Sequence, residues 1–310
     1  MEHISVLLDE ATDLLNIKQG GVYVDATLGR AGHSQKILNS LTNGKLFCFD
    51  LDTEAIKKSE ILLNKISKNY LIFNENYKNL KACLAMQNVF KVDGVLYDLG
   101  VSSPQLDDQN RGFSYRFNSR IDMRMNQTQK LDGHYVVNNL SEQELTNIFF
   151  KYGEEKYAKS IAKNIVKKRL EKPIDTTFEL VEIIKSSIPK REMIKKHPAK
   201  KVFQAIRIYV NDELSSLETS LEDALQILNV GGRVVVITFH SLEENIVKKI
   251  FKKYTIFKED EIINKLPITI ENNKQFKLVM KKPFTPNLTE QETNKRSRTA
   301  KLWAIERIKE

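Results

Sequence analysis

The stretch Tyr97 to Asp107, YDLGVSSPQLD, directly follows an apolar run, Val92 to Leu96. It reads as a buried strand running out into a loop that carries a carboxylate, a glycine, two hydroxyls and a proline. Open α/β sheets bind ligands at that place, outside the carboxyl ends of their strands. Working outward, Gly21 to Ala26 (GVYVDA) is a β-branched and aromatic run ending at Asp25, and His33 to Leu41 reads as a helix. Lys45 to Phe49 (KLFCF) is a second strand ending in Asp50 and Asp52, and Thr53 to Ile66 a second amphipathic helix with Thr53 as its cap. Tyr70 to Phe73, a helix around Leu80 to Met86 and the strand Val92 to Leu96 continue the alternation. Strand, helix, strand in repetition predicts an α/β fold with a parallel sheet.

The alternation then stops. Ser141-x-x-Glu144 and Thr176-x-x-Glu179 are capping boxes, and the first opens a run with Leu145, Ile148, Phe149 and Tyr152 at helical spacing. These mark a helical insert. A long helix from about Ala199 to Leu228, with Phe203, Ile206, Val210, Leu214, Leu217 and Leu221 on one face, leads back and is expected to stop at Gly231-Gly232. Arg233 to Phe239 (RVVVITF) is a fifth strand, too apolar for an edge, and Phe276 to Lys282 with Ala300 to Ile308 reads as a closing antiparallel pair. The expected domains are 1–107 with 206–310, and an inserted all-helical domain over 108–205.

A chain of 310 residues that is 41% apolar can bury a substantial core. No apolar stretch approaches the roughly 20 residues of a membrane span, and MEHISVLLDE lacks the pattern of an export signal, so a cytoplasmic location is expected. Cys48 and Cys83 lie inside apolar segments and read as packing residues, in keeping with a reducing compartment. The 49 basic residues outnumber the 40 acidic ones and are bunched, as at Lys167-Lys168-Arg169, Lys190-Arg191, Lys195-Lys196, Lys200-Lys201, Lys281-Lys282 and Lys295-Arg296 with Arg298. Such clusters suit a polyanion, although a solvated lysine-rich surface would look the same.

The chemistry begins in Asp25 to Ser34, DATLGRAGHS. A glycine-rich turn between the first strand and its helix lets the backbone pass close to a ligand and aims helix N–H groups at it. Asp50, ending the second strand, stands where an acid would hydrogen-bond the ribose hydroxyls of an adenosine cofactor, or it caps the next helix. NAD and S-adenosyl-L-methionine both satisfy these features. Gly29 and Gly32 are separated by Arg30-Ala31, short of a full G-x-G-x-x-G, and no pyrophosphate cradle is evident, so the methyl donor fits better. Asp98 is placed to offer an acceptor near the reacting centre.

At this point the chain resembles the bacterial 16S ribosomal RNA cytosine-N4 methyltransferases, the family of small-subunit methyltransferase H. The match runs almost from end to end, through HISVLLDEA (His3 to Ala11), DATLGRAGHS, YDLGVSSPQLD, RGFSY (Arg111 to Tyr115), DMRM (Asp122 to Met125), YGEE (Tyr152 to Glu155), HPAKKVFQAIRIYVNDEL (His197 to Leu214) and TFHSLEE (Thr238 to Glu244). The resemblance implies a Rossmann-like S-adenosylmethionine methyltransferase sheet with the helical insert. Its donor would be held by Ala31, Gly32, His33, Asp50, Tyr77, Asp98 and Gln105, and its substrate would be a decoding-centre cytidine of 16S ribosomal RNA, within the small ribosomal subunit. One departure is visible: the family typically has a second glycine where this chain has Ala31.

The residues allow a physical account beside that likeness. A sulfonium methyl is already activated, so the enzyme needs in-line placement and exclusion of water rather than a metal or a nucleophilic side chain. The N4 amine of cytosine is a poor nucleophile, and acceptors on its N–H bonds would draw it toward a reactive geometry; Asp98, Ser102 and the Leu99 carbonyl are the candidates. Carbon-5 methylation needs a cysteine near the loop and 2′-hydroxyl methylation usually a lysine beside an acid, and Tyr97 to Asp107 holds neither. A base taken out of its stack needs aromatic or arginine side chains to receive it. Phe113, Tyr115, Arg124, Arg207 and Asn211 are the candidates, and His240 is either ligand-facing or a core histidine. A nicotinamide-dependent oxidoreductase and a non-catalytic RNA-binding ribosome assembly factor remain the alternatives.

Overall fold

Alternate residues of the buried strands feed two apolar layers, one on each face of a single sheet. Val95 and Tyr97 join Val24, Phe47, Phe49, Val234 and Val236 on one side, while Leu96 joins Tyr23, Leu46, Cys48, Val235 and Ile237 on the other. A period of two with both faces apolar is what a covered parallel sheet requires. The structure, a computed structural model, describes residues 5–193, 197–255 and 274–310. His3 and the Lys195-Lys196 pair lie outside the described residues.

The strands are β1 (Val22–Asp25), β2 (Lys45–Phe49), β3 (Tyr70–Phe73), β4 (Val92–Asp98), β5 (Leu228–Thr238), β6 (Phe276–Leu278) and β7 (Lys301–Arg307). They lie in the order β3-β2-β1-β4-β5-β7-β6. The first five are parallel, and β7 runs antiparallel between β5 and β6. A Rossmann-like α/β sheet is therefore present, with the expected closing pair. The order reverses between β1 and β4, which places the ligand crevice at their carboxyl ends. An antiparallel strand inside the sheet sets it apart from the dinucleotide order 3-2-1-4-5-6.

The described chain divides into two compact units, one within Met1–Gly100 and Leu214–Glu310, the other within Val101–Glu213. The first holds the sheet, with α1 (Leu8–Leu15), α2 (Gly32–Ser40) and α3 (Thr53–Leu63) feeding one apolar layer, and α4 (Leu80–Ala85), α12 (Glu213–Ile227) and α13 (Ser241–Thr255) the other. The second is helical: α5 (Ser103–Asp107), α6 (Gly133–Asn139), α7 (Glu142–Gly153), α8 (Ala158–Arg169), α9 (Thr177–Ser186), α10 (Lys190–Met193) and α11 (Lys200–Asn211). Both capping boxes form, Ser141 with Glu144 and Thr176 with Glu179. No helix among the described residues is long and apolar enough to cross a membrane.

Four local expectations are corrected. The long helix from Ala199 to Leu228 is two helices, broken at Asp212, whose backbone is left-handed at φ 51°. Phe203, Ile206 and Val210 fill the core of the second unit, whereas Leu217 and Leu221 fill that of the first. The units accordingly part at 213/214 and at 100/101, where Val101 and Leu106 already pack on the helical core, not at 205/206 and 107/108. Gly231-Gly232 does not stop a helix but lies inside β5, where the register against β4 shifts between Val92 and Gly94 and Gly231 takes φ 80°. The cap of α3 is Asp52, which accepts from the N–H groups of Glu54 and Ala55, and not Thr53.

Candidate active site

Three carboxylates stand at the carboxyl ends of β1, β2 and β4. Asp25 is buried, accepting from Ser34 Oγ at 2.6 Å and from the Thr27 N–H at 3.0 Å. Thr27 in turn accepts from the Asp98 N–H at 2.7 Å, which ties the ends of β1 and β4 together. Asp50 accepts from the Gly29 N–H and from the Asp52 N–H, both at 2.8 Å. The glycine-rich loop is thus anchored to the end of β2 by the acid read as a ribose acceptor, and the cap of α3 falls to Asp52. Gly29 sits at φ 50°.

The carboxylate of Asp98 is the exceptional one. Its Oδ1 is buried and makes no hydrogen bond among the described residues, and its Oδ2 lies 3.7 Å from His33 Nδ1. Burial first, then the charge of Asp25, pushes its pKa up to about 8, against a downward pull from Arg296. Burial likewise pushes Asp50 up to about 7, opposed by its bonds to the N–H groups of Asp52 and Gly29. A buried acceptor without a partner among the described residues, beside two acids whose pKa burial raises, suits a cationic, donor-rich ligand. S-adenosyl-L-methionine has that character, with a sulfonium, an ammonium and ribose hydroxyls.

The loop after β1 closes over this rim. Ala31, the position of the departure from glycine, is buried at φ 60°, a left-handed conformation that costs an L residue with a side chain roughly 1–2 kcal/mol. Gly32 opens α2 under the N-terminal segment, since a Cβ there would fall 1.9 Å from Ser5 Oγ. His33 is buried, with Nε2 3.2 Å from the Val6 carbonyl. Tyr77 packs edge-on against Tyr97 at 5.8 Å, and its carbonyl accepts from Ser220 Oγ. These residues all belong to the first unit. Beyond β5, Glu243 is buried and accepts from the Phe239 N–H at 2.7 Å, its N–H donates to His240 Nδ1 at 3.4 Å, and its carboxylate lies 3.1 Å from His240 Nε2, which makes no hydrogen bond among the described residues.

The remaining candidates lie in the second unit. Ser102 precedes α5, and its N–H donates to Gln105 Oε1 at 3.0 Å. Phe113 is buried in the helical core with the Arg111 guanidinium over its ring. Arg124 forms a paired contact with Asp122, 2.9 and 2.7 Å, and donates to the Gln129 carbonyl. Arg207 pairs in the same two-pronged way with Glu213, at 2.8 Å on each prong. Asn211 accepts from the Met125 N–H at 2.7 Å and donates to the carbonyls of Met123 and Arg207, so its amide holds the DMRM loop. Sequence reasoning did not single out Asp25, Thr27 or Glu243 as site residues. Their signal was position alone, at or just beyond the ends of β1 and β5.

A model of the MraW methylase family matches residues 1–308. The chain belongs to the MraW methylase family. That membership sets aside the oxidoreductase alternative. Two relatives named ribosomal RNA small subunit methyltransferase H are 55% identical over 308 residues, in Mesoplasma florum, and 48% identical over 312 residues, in Streptococcus mutans. The alignments span 99% of this chain in both cases, and 99% and 98% of the respective relatives. An rRNA methylase structure from Streptococcus thermophilus aligns over 97% of this chain and 95% of its own, with TM-score 0.43 and 12% identity.

Proposed function

We propose that the chain transfers a methyl group from S-adenosyl-L-methionine to the exocyclic N4 amine of a cytidine in the decoding region of 16S ribosomal RNA. The observation that carries the reading is the buried, unpartnered Oδ1 of Asp98 at the topological switch point. Bound S-adenosyl-L-methionine supplies an electrophilic methyl on positively charged sulfur. Asp50 and the loop of Ala31, Gly32 and His33, with Tyr77 and Gln105, hold the donor. Asp98 accepts an N–H of the amine and so turns its nitrogen lone pair out of conjugation with the ring. The new N–C bond forms as the S–C bond breaks, and the nitrogen then sheds one proton. Burial raises the Asp98 pKa to about 8, and the positive charge of a bound donor favours its ionised form, which is the form that accepts the amine N–H and then takes the proton. Ser102 is the candidate second acceptor, and Phe113, Arg124, Arg207 and Asn211 are the candidates to receive the substrate.

The test is methyl transfer by purified protein with labelled donor, on naked 16S transcript and on small ribosomal subunits lacking the modification, followed by digestion to nucleosides. N4-methylcytidine in either substrate supports the reading. Label in another nucleoside overturns the assignment of the amine, and no label in either substrate, with donor binding intact, favours the assembly-factor alternative.

A further inference from the structure

The second unit holds 21 basic and 15 acidic residues, so it carries six of the nine net positive charges of the chain. In α8 the buried side is Ala158, Ile161, Ala162 and Ile165. Lys159, Lys163 and Lys167 recur every four residues on the opposite side and are exposed. Lys156 is exposed in the turn leading into the helix. At 1.5 Å of rise per residue the three helical lysines stand about 6 Å apart and span about 12 Å. None of them forms an ion pair among the described residues, although neighbouring lysines do: Lys168 with Glu171, Lys172 with Glu179 and Lys185 with Glu182. Lys167 suits the negative end of the helix dipole, but Lys159 sits in the first turn, where a cation is unfavourable. Helix stability therefore does not account for the row.

We infer that the Lys159-Lys163-Lys167 face of α8 is a docking rail for the phosphate backbone of RNA, a contact beyond those that receive the reacting base. This rests on the RNA reading above. Charge complementarity selects a polyanion, and even spacing along one rigid axis suits a repeating one better than a single anion. Such contacts position a nucleic acid without reading its sequence, and each adds a counterion-release contribution of about 0.7 to 0.9 to the slope of log affinity against log salt.

The experiment measures that slope for full-length protein on naked 16S transcript. The triple variant Lys159→Gln, Lys163→Gln, Lys167→Gln is compared with a charge-matched control, Lys168→Gln, Lys172→Gln, Lys185→Gln. Affinity for S-adenosyl-L-methionine, measured alongside, reports that both variants are folded. The rail variant should lose about two from the slope, with the control losing less than about one. Equal losses, or an unchanged slope in the rail variant while wild type binds with strong salt dependence, overturn the rail and leave the RNA reading standing. If wild type binds only small ribosomal subunits, the same slopes are compared there; binding with no salt dependence overturns the rail, and wild type that binds neither transcript nor subunits overturns both.

Discussion

Glu290 Oε1 accepts a hydrogen bond from the Leu7 N–H at 2.8 Å, across 283 positions of the chain. Leu7 is fully buried with a left-handed backbone, φ 51°, and its neighbour Val6 presents the carbonyl that meets His33. The contact therefore fixes a strained turn that touches the donor loop. Glu290→Ala leaves that N–H without its acceptor and should cost about 1–3 kcal/mol in urea unfolding, with weaker donor binding. Glu290→Gln keeps the accepting oxygen and should retain most of both. Equal behaviour of the two variants would show that the bond does not hold the turn.

The two raised acids dictate opposite pH trends for stability and for binding. Asp50 and Asp98 rise from 3.8 to about 7 and about 8 in the folded chain, so the folded state carries the extra protons. Their contribution favours folding at low pH and is lost as pH climbs from about 4 to about 8. A cationic donor prefers the ionised carboxylates, so its affinity should rise by up to about tenfold per unit through neutral pH and level off above about 8. Calorimetric titration at several pH values checks this. Asp98→Asn should bind weakly and flatten the upper part of the profile, and a flat wild-type profile would refute the assignment.

Ala31 offers a cleaner balance of opposing effects. Replacing it with glycine removes the left-handed strain, worth roughly 1–2 kcal/mol, but adds freedom to the unfolded chain and deletes a buried methyl worth about 0.8 kcal/mol. Ala31→Gly is therefore expected to lie within about 1 kcal/mol of wild type, with donor affinity nearly unchanged. A loss above about 2 kcal/mol in thermal or urea unfolding would mean that methyl packing dominates and that the loop tolerates φ 60° without strain.

The strand ends were legible because a buried parallel strand must be apolar and its first polar residue must emerge at the rim, which puts Asp25, Asp50 and Asp98 on one edge. The helical insert was legible from Ser141 with Glu144 and Thr176 with Glu179, since a capping box is a local bond with a local signature. The break at Asp212 was not, because apolar spacing continues in phase from Phe203 to Leu221 while the two halves serve different cores. Gly231-Gly232 misled for a related reason: a glycine pair permits a left-handed turn in a bulge as readily as at a helix end. Glu290 and Leu7 were beyond reach, since no local pattern encodes a bond across 283 positions. Arg207 and Asn211 were read as candidates to receive the base, and the partners they have within the second unit, Glu213 and the backbone of Met123 and Met125, have no local signature in the sequence.

Asn211 is where those two roles separate experimentally. Its amide satisfies the Met125 N–H and the Met123 carbonyl, and Met123 is buried at φ 62°, a conformation a side chain resists. Asn211→Ala leaves a donor and an acceptor of the loop unpaired, which should cost about 2–4 kcal/mol in urea unfolding. Asn211→Asp keeps the acceptor for Met125 but turns an anion on the carbonyls of Met123 and Arg207, so it should destabilise at least as much at neutral pH and recover partly in mild acid. If instead both variants unfold within about 0.5 kcal/mol of wild type while RNA affinity falls tenfold, the amide serves the substrate and the loop is held by other contacts, such as the Met123 N–H bond to the Arg111 carbonyl.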